Sequence, residues 1–577
     1  MKRKTWFWAL TPVAVALSLY GCGNGSDSDL AVDNNAQSCS VVSGTGSAVV
    51  VGSGLPGDPA APEAASGYRL GYKAKQSSNY MVVANTPLAT KAGCDVLKAG
   101  GTAVDAAVAV QAVLGLVEPQ SSTIAGSAFM MYYDAANKKV VAYDGRETAP
   151  AAATGYYLAR QDQSNASSPA PVPSARRSGR SIGVPGVMRM LDMAHKEHGK
   201  LAWAPLFDEG IRLASSGYKI PGRMGDAIRT NAANLQLDAN AVAAYFNADG
   251  TPKTTGTVTT NLPYAQSLRT LATGGADAMY SGPLADAIVA KAAQSVGDDV
   301  AKTPITPSLM TVTDLKNYQA KKREPVCTTY RSSYYICTMS PPSSGGIAIA
   351  QSLGILENFD LSQYGPTNPS NEGGVPSVMG VHLVSEAQRL AYADRDKYVA
   401  DTDFIPLPGN GVSSMIDKAY LKQRASLINA NGNSMGTATA GDLGNVPLGV
   451  DKTVEKGTTH FSIVDAYGNV VSMTSTVESS MGSYHMVGGF LLTNQLTDFS
   501  VQPTDAAGVP VANRVAPGKR PRSTMAPTLV FKGTGPGDFV MATGSPGGGT
   551  IIQYVLKTVV GALDWGLDAQ QATSLVN

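Results

Sequence analysis

The run Gly100-Gly-Thr-Ala103-Val-Asp105-Ala-Ala-Val-Ala-Val-Gln111-Ala-Val-Leu-Gly-Leu-Val117-Glu118-Pro119 places Ala, Val and Leu on nearly every face of a helix. A helix that is apolar all round must be enclosed by other elements, and Pro119 stops it. The chain can supply the enclosure. Its 577 residues, 43% hydrophobic and 15% charged, can bury a large core, and the length leaves room for two or more domains. The 61 glycines and 34 prolines are spread without a fixed period, as in a turn-rich sheet protein.

Short strands are expected at Ala128–Tyr133 and Lys139–Tyr143, followed by an Ala-rich helical layer over residues 185–300 that includes Asp208–Ala214 and Ala285–Ala293. Ile347–Phe359 and Val381–Tyr392 are further helix candidates. Leu421–Val446 is polar and rich in Gly and Asn, which suits a flexible loop near a point of cleavage. From Thr458 onward, β-branched runs alternate with turn residues, the texture of sheet strands. Helices and strands in separate blocks indicate a layered α+β fold rather than repeated βαβ units.

A formal net charge of +1 creates no global field, so nothing points to nucleic acid or an acidic membrane surface as partner. The one dense basic run, Arg176, Arg177 and Arg180, reads as a solvated loop face. At the N-terminus, Lys2, Arg3 and Lys4 precede an apolar run from Trp6 to Tyr20, and Leu19-Tyr20-Gly21-Cys22 has the layout of a lipobox. Residues 1–21 therefore read as an export signal to the periplasm or cell envelope. Cys22 reads as a lipidation site and residues 22–70 as a membrane tether; cleavage by the ordinary signal peptidase is the alternative. The membrane is then a partner through the lipid alone.

In an oxidising compartment Cys39, Cys94, Cys327 and Cys337 can pair in three ways. Cys327 and Cys337 flank a short hairpin centred near Ser332, which would set them opposite each other at bridging distance. Two buried thiols are the alternative. With five histidines and no Cys/His group at ligand spacing, neither a metal site nor a His-based triad is supported.

The chemistry concentrates around Gly457-Thr458-Thr459-His460. Residues 458–478 read as two strands around the turn Asp465-Ala466-Tyr467-Gly468-Asn469. A hairpin symmetric about Tyr467 places Thr458 opposite Thr476, so two hydroxyls meet at its mouth. A hydroxyl nucleophile needs a base, and a chain poor in His can use the α-amine of an N-terminal Thr. Thr458 gains that amine only if the Gly457–Thr458 bond is cut, and Gly457 permits the strained carbonyl geometry such an attack requires. A Thr-rich hairpin is also ordinary sheet, and these residues alone leave that reading open.

Several further motifs stand in order along the chain. They are Ala103–Gln120, Asp144-Gly-Arg146-Glu147-Thr-Ala-Pro150, Pro341-Pro-Ser-Ser-Gly-Gly346, Thr458-Thr459-His460, Asn494-Gln495-Leu496-Thr497-Asp498-Phe499-Ser500, Lys519-Arg520-Pro521-Arg522-Ser523-Thr524-Met525-Ala526-Pro527-Thr528 and Thr543-Gly544-Ser545-Pro546-Gly547-Gly548. Together, from about residue 75 to the end, they resemble the γ-glutamyltransferase family of N-terminal-nucleophile hydrolases. The resemblance implies a four-layer αββα sandwich, autocleaved into a large subunit (71–457) and a small subunit (458–577) that stay associated. It implies no cofactor and no metal. Its substrates are γ-glutamyl amides such as glutathione, with water or an amino acid or peptide amine as acceptor.

By the same resemblance Thr458 is the nucleophile, its freed amine the base and Thr476 its hydrogen-bond partner. Amides of Gly547 and Gly548 form the oxyanion hole. Arg146 with Ser523 and Thr524 holds the substrate α-carboxylate, and Glu478, Gln495 and Asp498 surround its α-ammonium. Each position also suits an ordinary role: Arg146 a salt bridge, Ser523, Thr524 and Pro546-Gly547-Gly548 turns, Glu478 a strand end, Asp498 a helix cap.

The chain departs from the family in four places. Ile124–Phe129 replaces a glycine run; Glu478 stands where many members carry Asn; the lid region Val501–Gly518 is short and lacks an aromatic; and the sequence ends at Asn577 inside an apparent helix from Leu567, where members continue through further strands. Two rival readings remain: a cephalosporin or glutaryl amide acylase on the same scaffold, which does not need the ammonium-binding acids, and an uncleaved lipoprotein that only binds amino acids or peptides.

Overall fold

The computed structural model describes residues 39, 41–42, 48–49, 74–369, 374–444 and 446–575. Cys22, the export signal and most of the tether lie outside them.

Two antiparallel sheets form the centre. The first has six strands: β1 (Met81–Val83), β2 (Ser127–Asp134), β3 (Lys139–Gly145), β4 (Lys321–Arg323), β7 (Thr459–Val464) and β8 (Val470–Thr476), in the spatial order β1-β7-β8-β2-β3-β4. The second has four: β5 (Val326–Tyr330), β6 (Tyr334–Thr338), β9 (Thr528–Lys532) and β10 (Phe539–Thr543), ordered β10-β9-β6-β5.

Strand β2 shows how these sheets stack. Side chains alternate along a strand. Ala128, Met130 and Tyr132 join a core with helices α1 (Pro87–Lys98), α2 (Ala103–Val117) and α3 (Val187–His198). Phe129, Met131 and Tyr133 join a second core with Ile336, Leu529 and Phe531 of the other sheet and with helices α4 (Gly345–Leu356), α5 (Val378–Tyr398) and α6 (Ile551–Leu563). The result is helix, sheet, sheet, helix: the four-layer αββα sandwich.

Every residue of α2 is buried, as its composition demands. A capping box starts it, with the Thr102 side chain and Asp105 each bonding the other's backbone N–H. Asp105 also accepts from the Lys200 and Leu201 amides at 3.0 and 3.2 Å and lies 3.3 Å from His195 Nε2. Burial would raise the Asp105 carboxyl, but His195 and the amides hold it below its usual value. The same bond raises His195, against burial.

The hairpin β7–β8 has the register expected from its turn, with Thr459 opposite Ser475 and Val464 opposite Val470. Cys327 pairs with Cys337 across β5–β6, joined by a disulfide with Cα atoms 4.1 Å apart, and Arg331 and Ser332 take left-handed conformations in the turn. Cys39 bonds Cys94 of α1. Asp208–Ser216 and Pro283–Ala292 are helical as read. The Leu421–Val446 segment differs from a free loop. Leu421–Ala425 completes a helix, and side chains of α5 tie down the residues after it: Tyr398 donates to Gly441 O at 2.7 Å and Glu386 accepts from Met435 N at 2.8 Å. Polar composition here marks bonding to a neighbouring helix rather than mobility.

Asp105→Ala should destabilise the chain by roughly 2–4 kcal/mol in urea unfolding, since it removes a cap and strands buried amides. His195, raised when folded, contributes below its unfolded value and loses that contribution as pH rises through the folded one. The stability difference between wild type and His195→Gln should therefore be larger near about pH 5.5 than near about pH 9.

Candidate active site

The alternation that stacks the sheets also aims the site. Phe461, Ile463, Val471 and Met473 face the α1–α3 core, whereas Ser472 donates to Thr543 O of β10 at 2.9 Å on the other face. Thr458 and Thr476 fall on this second face, between the sheets.

Gly457 has φ +47°, and a Cβ there would lie 2.3 Å from Glu478 O, so only glycine fits. Its carbonyl oxygen accepts from Thr476 Oγ1 at 2.9 Å and also touches the Thr458 hydroxyl. Thr476 Oγ1 accepts the Glu478 N–H at 2.8 Å, which leaves its own proton for Gly457. Glu478 has φ +78°, a strained position for a non-glycine residue. Thr459 points the other way: it donates to Glu118 Oε2 at 2.7 Å and accepts from Asn85 Nδ2 at 2.9 Å, and Arg223 Nη1 lies 3.0 Å from Glu118 Oε1. This fixes the backbone beside the junction. His460 is boxed between Thr474 Oγ1 at 2.9 Å and Ser462 Oγ at 3.0 Å, and burial pushes it down to about 3. It stays neutral at ordinary pH and supplies no charge.

Gly547 and Gly548, with φ +137° and +55°, begin the loop before α6. A Cβ on Gly548 would lie 2.3 Å from Glu455 O, and Gly549 N–H donates to that same oxygen at 3.0 Å. The segment before Thr458 thus runs across the glycine loop. Thr524 Oγ1 lies 2.8 Å from Gly548 O, and Ser523 Oγ accepts the Met525 N–H at 3.1 Å in a local turn.

Arg146 is fully buried. Its Nε donates to Pro521 O at 3.2 Å, Nη1 to Ser127 Oγ at 3.3 Å, and Nη2 to Arg522 O at 3.1 Å and to Asp498 Oδ2. Burial would depress the guanidinium, but Glu147, Asp498 and Glu455 hold it above its ordinary value. Burial pushes Asp498 well up, with Arg146 opposing, and pushes Glu478 up, with Arg176 opposing. Asp498 Oδ1, Glu478 Oε1 and both amide atoms of Gln495 are buried without a hydrogen-bond partner among the described residues. Buried acceptors left unmade are costly, so these atoms are free to accept from a cationic or donor group.

A family model described as Gamma-glutamyltranspeptidase matches residues 89–576. The chain belongs to the γ-glutamyltranspeptidase family. It is 36% identical over 507 residues to the glutathione hydrolase proenzyme of Bacillus subtilis (strain 168), covering 85% of this chain and 79% of that one. The γ-glutamyltranspeptidase structure from Helicobacter pylori superposes with TM-score 0.56 at 30% identity, covering 65% of this chain and 99% of that one. The cephalosporin acylase from Bacillus halodurans shares the fold, with TM-score 0.70 at 23% identity over 88% and 86% of the two chains.

One reading from sequence needs correction. The Arg176–Arg180 cluster is not a solvated face. Arg176 pairs with Glu478 Oε2, Arg177 donates to Asn234 Oδ1 at 2.7 Å, and Arg180 is buried against the Tyr157 ring with Nη2 on Gln161 O. Arg176 therefore lies against Glu478, and Glu455 accepts from Arg395 Nη2 at 2.6 Å and from the Thr524 N–H at 2.5 Å; sequence reasoning missed Glu455 and Arg395. A basic cluster gains its acidic partner here from 302 residues away, so no local pattern discloses it. Among the described residues no cluster of His, Cys, Asp and Glu could hold a metal ion.

Arg146→Ala would leave Asp498 and Glu147 as uncompensated buried acids and should cost about 3–5 kcal/mol in chemical unfolding. Arg176→Ala removes a guanidinium that is 30% exposed and strands one buried acid, Glu478, rather than two, so it should cost less than Arg146→Ala in the same unfolding experiment.

Proposed function

We propose that this chain is a self-activating enzyme that hydrolyses γ-glutamyl amides such as glutathione or transfers their acyl group. The observation that carries the reading is the Thr458 hydroxyl resting on the Gly457 carbonyl while Thr476 donates to the same oxygen. Thr458 Oγ adds to the Gly457 carbonyl carbon, the C–N bond breaks, and an ester to Thr458 forms as the amine is released. Water cleaves the ester, leaving a Gly457 carboxylate and a free N-terminal Thr458. Residues 71–457 become the large subunit and 458–577 the small one.

In the mature form the Thr458 amine takes the hydroxyl proton and Oγ attacks the γ-carbonyl of the donor. Amides of Gly547 and Gly548 receive the oxyanion, and Thr476 orients the nucleophile. The leaving amine departs protonated, and the γ-glutamyl ester passes to water or to an amino acid or peptide amine. Arg146 with Ser523 and Thr524 holds the α-carboxylate. Glu478, Gln495 and Asp498 offer their unpaired atoms to the α-ammonium. Export by residues 1–21 and a lipid on Cys22 place this activity in the cell envelope. Among the described residues no helix is long and apolar enough to cross a membrane.

One observation favours a second reading. Arg176 already pairs with Glu478, and an acyl group without an ammonium, such as glutaryl, would leave that pair intact. Turnover of glutaryl amides with none of γ-glutamyl amides would select it.

Thr458→Ala should remain a single chain on a denaturing gel, whereas wild type yields a fragment beginning at Thr458; an uncut wild type would sink the enzyme reading. With an α-amine as base, kcat/KM should rise with pH through roughly 7–8. His460, held near 3, stays neutral there, so His460→Gln should keep the limb in place.

A further inference from the structure

Glu478 and Asp498 are compensated in different ways. Asp498 meets Arg146, whose side chain is wholly buried and whose nitrogens also donate to Pro521 O, Ser127 Oγ and Arg522 O. Arg146 cannot leave without stranding those acceptors. The Glu478 carboxylate is just as buried, but the Arg176 guanidinium reaches its Oε2 from a partly exposed position. Among the described residues the Arg176 side chain makes no other hydrogen bond. A swing into water therefore rehydrates the guanidinium and breaks a single ion pair.

The loop that carries Arg176 holds its place. Ala175–Arg177 is a single 3₁₀ turn, and Ser178 Oγ donates to Ala175 O at 2.9 Å. Gly179 N–H donates to Thr306 O at 2.9 Å, where a Cβ would lie 2.2 Å from Ser308 N. Arg177 adds a bond to Asn234 Oδ1 at 2.7 Å. Side-chain rotation is thus the motion open to Arg176, and the fixed backbone keeps Glu478 within its reach.

Glu478 is a poor group to leave alone. Burial raises its carboxyl, and Glu455 and Asp498 oppose its charge. Without Arg176 and with nothing in its place, the carboxylate would be a buried, repelled anion. The α-ammonium of a γ-glutamyl donor replaces the guanidinium one for one. A donor without an ammonium does not, and Arg176 then stays.

We propose that Arg176 is a displaceable counterion for Glu478, and that it lets the acyl site take donors lacking an α-ammonium, such as glutaryl amides, as well as γ-glutamyl ones. The inference rests on the proposed reading for the position of the donor's α-carbon beside Glu478. It differs from a dedicated glutaryl acylase, because one acid serves both donors by exchanging its cation. Arg176 then sets the donor range.

The test compares kcat/KM of the self-cleaved enzyme for γ-glutamyl-p-nitroanilide and glutaryl-p-nitroanilide. Wild type should turn over both. Arg176→Ala should lower the glutaryl value about tenfold or more beyond any change in the γ-glutamyl value, because the buried acid lacks a cation in that complex alone. Arg176→Lys keeps a cation and should retain more glutaryl turnover than Arg176→Ala. Adding Glu478→Gln to Arg176→Ala should recover glutaryl turnover, since no charge remains to strand; a merely structural role would lower both donors together and show no such rescue. Arg176→Gln, which keeps much of the side chain without its charge, gives the same comparison if the Ala variant does not mature. A wild type inert toward glutaryl amides, or an unchanged donor ratio in the charge-removing variants, overturns the proposal. A wild type active on glutaryl amides alone would remove the γ-glutamyl reading, while loss of that activity in Arg176→Ala and its rescue by Glu478→Gln would still uphold the counterion, so the two failures are distinguishable.

Discussion

The hairpin β7–β8 is packed on both faces, with helices α1–α3 against one and the second sheet against the other. That double burial is the constraint on which the site depends. A one-residue slip would send Phe461, Ile463, Val471 and Met473 into the wrong core and turn His460 and Ser472 toward the helices. Register is thereby fixed by apolar packing several residues away from the chemistry. Thr458 inherits its direction from that register, and Gly457 tolerates the result because it has no side chain to collide with Glu478.

Around this frame the protein has buried several ionisable groups together. Arg146, Arg395 and Arg522 lie among Glu455, Glu478, Asp451 and Asp498, nearly all with their charged ends out of water. Isolated burial of any one would be prohibitive, so each must be compensated, and the compensation is uneven. Arg522 Nη2 lies 3.1 Å from Asp451 Oδ2, while its Nε has no hydrogen-bond partner among the described residues. Among the described residues, Asp498 and Glu478 keep one oxygen each without a hydrogen-bond partner.

How much can be read from sequence depends on the range of the interaction responsible. The enclosed helix α2, the hairpin register about Tyr467 and the Cys327–Cys337 pairing are set within about twenty residues, and their patterns survive intact in the linear order. The layer order, and the gathering of Thr458, Thr476, Arg146 and Asp498, are legible only through several ordered motifs that resemble a family. Arg176, Arg395 and Glu455 escape both routes. Their partners lie far along the chain or belong to another layer, and neither charge clustering nor spacing records such a meeting. The Leu421–Val446 segment misleads for the opposite reason: polar composition describes solvent preference well but says nothing about carbonyls that a neighbouring helix can claim.

The contact between Thr476 and Gly457 joins residues nineteen apart. In the proposed reaction the attacking group and its target are neighbours in the chain, so no encounter is needed and dilution is irrelevant to the rate. The one requirement is that β8 has already docked against β7 and β2. Bond breakage then acts as a clock started by correct folding, and a chain caught in a slipped register would stay silent and shut. Maturation of this kind inspects the fold before it releases the activity.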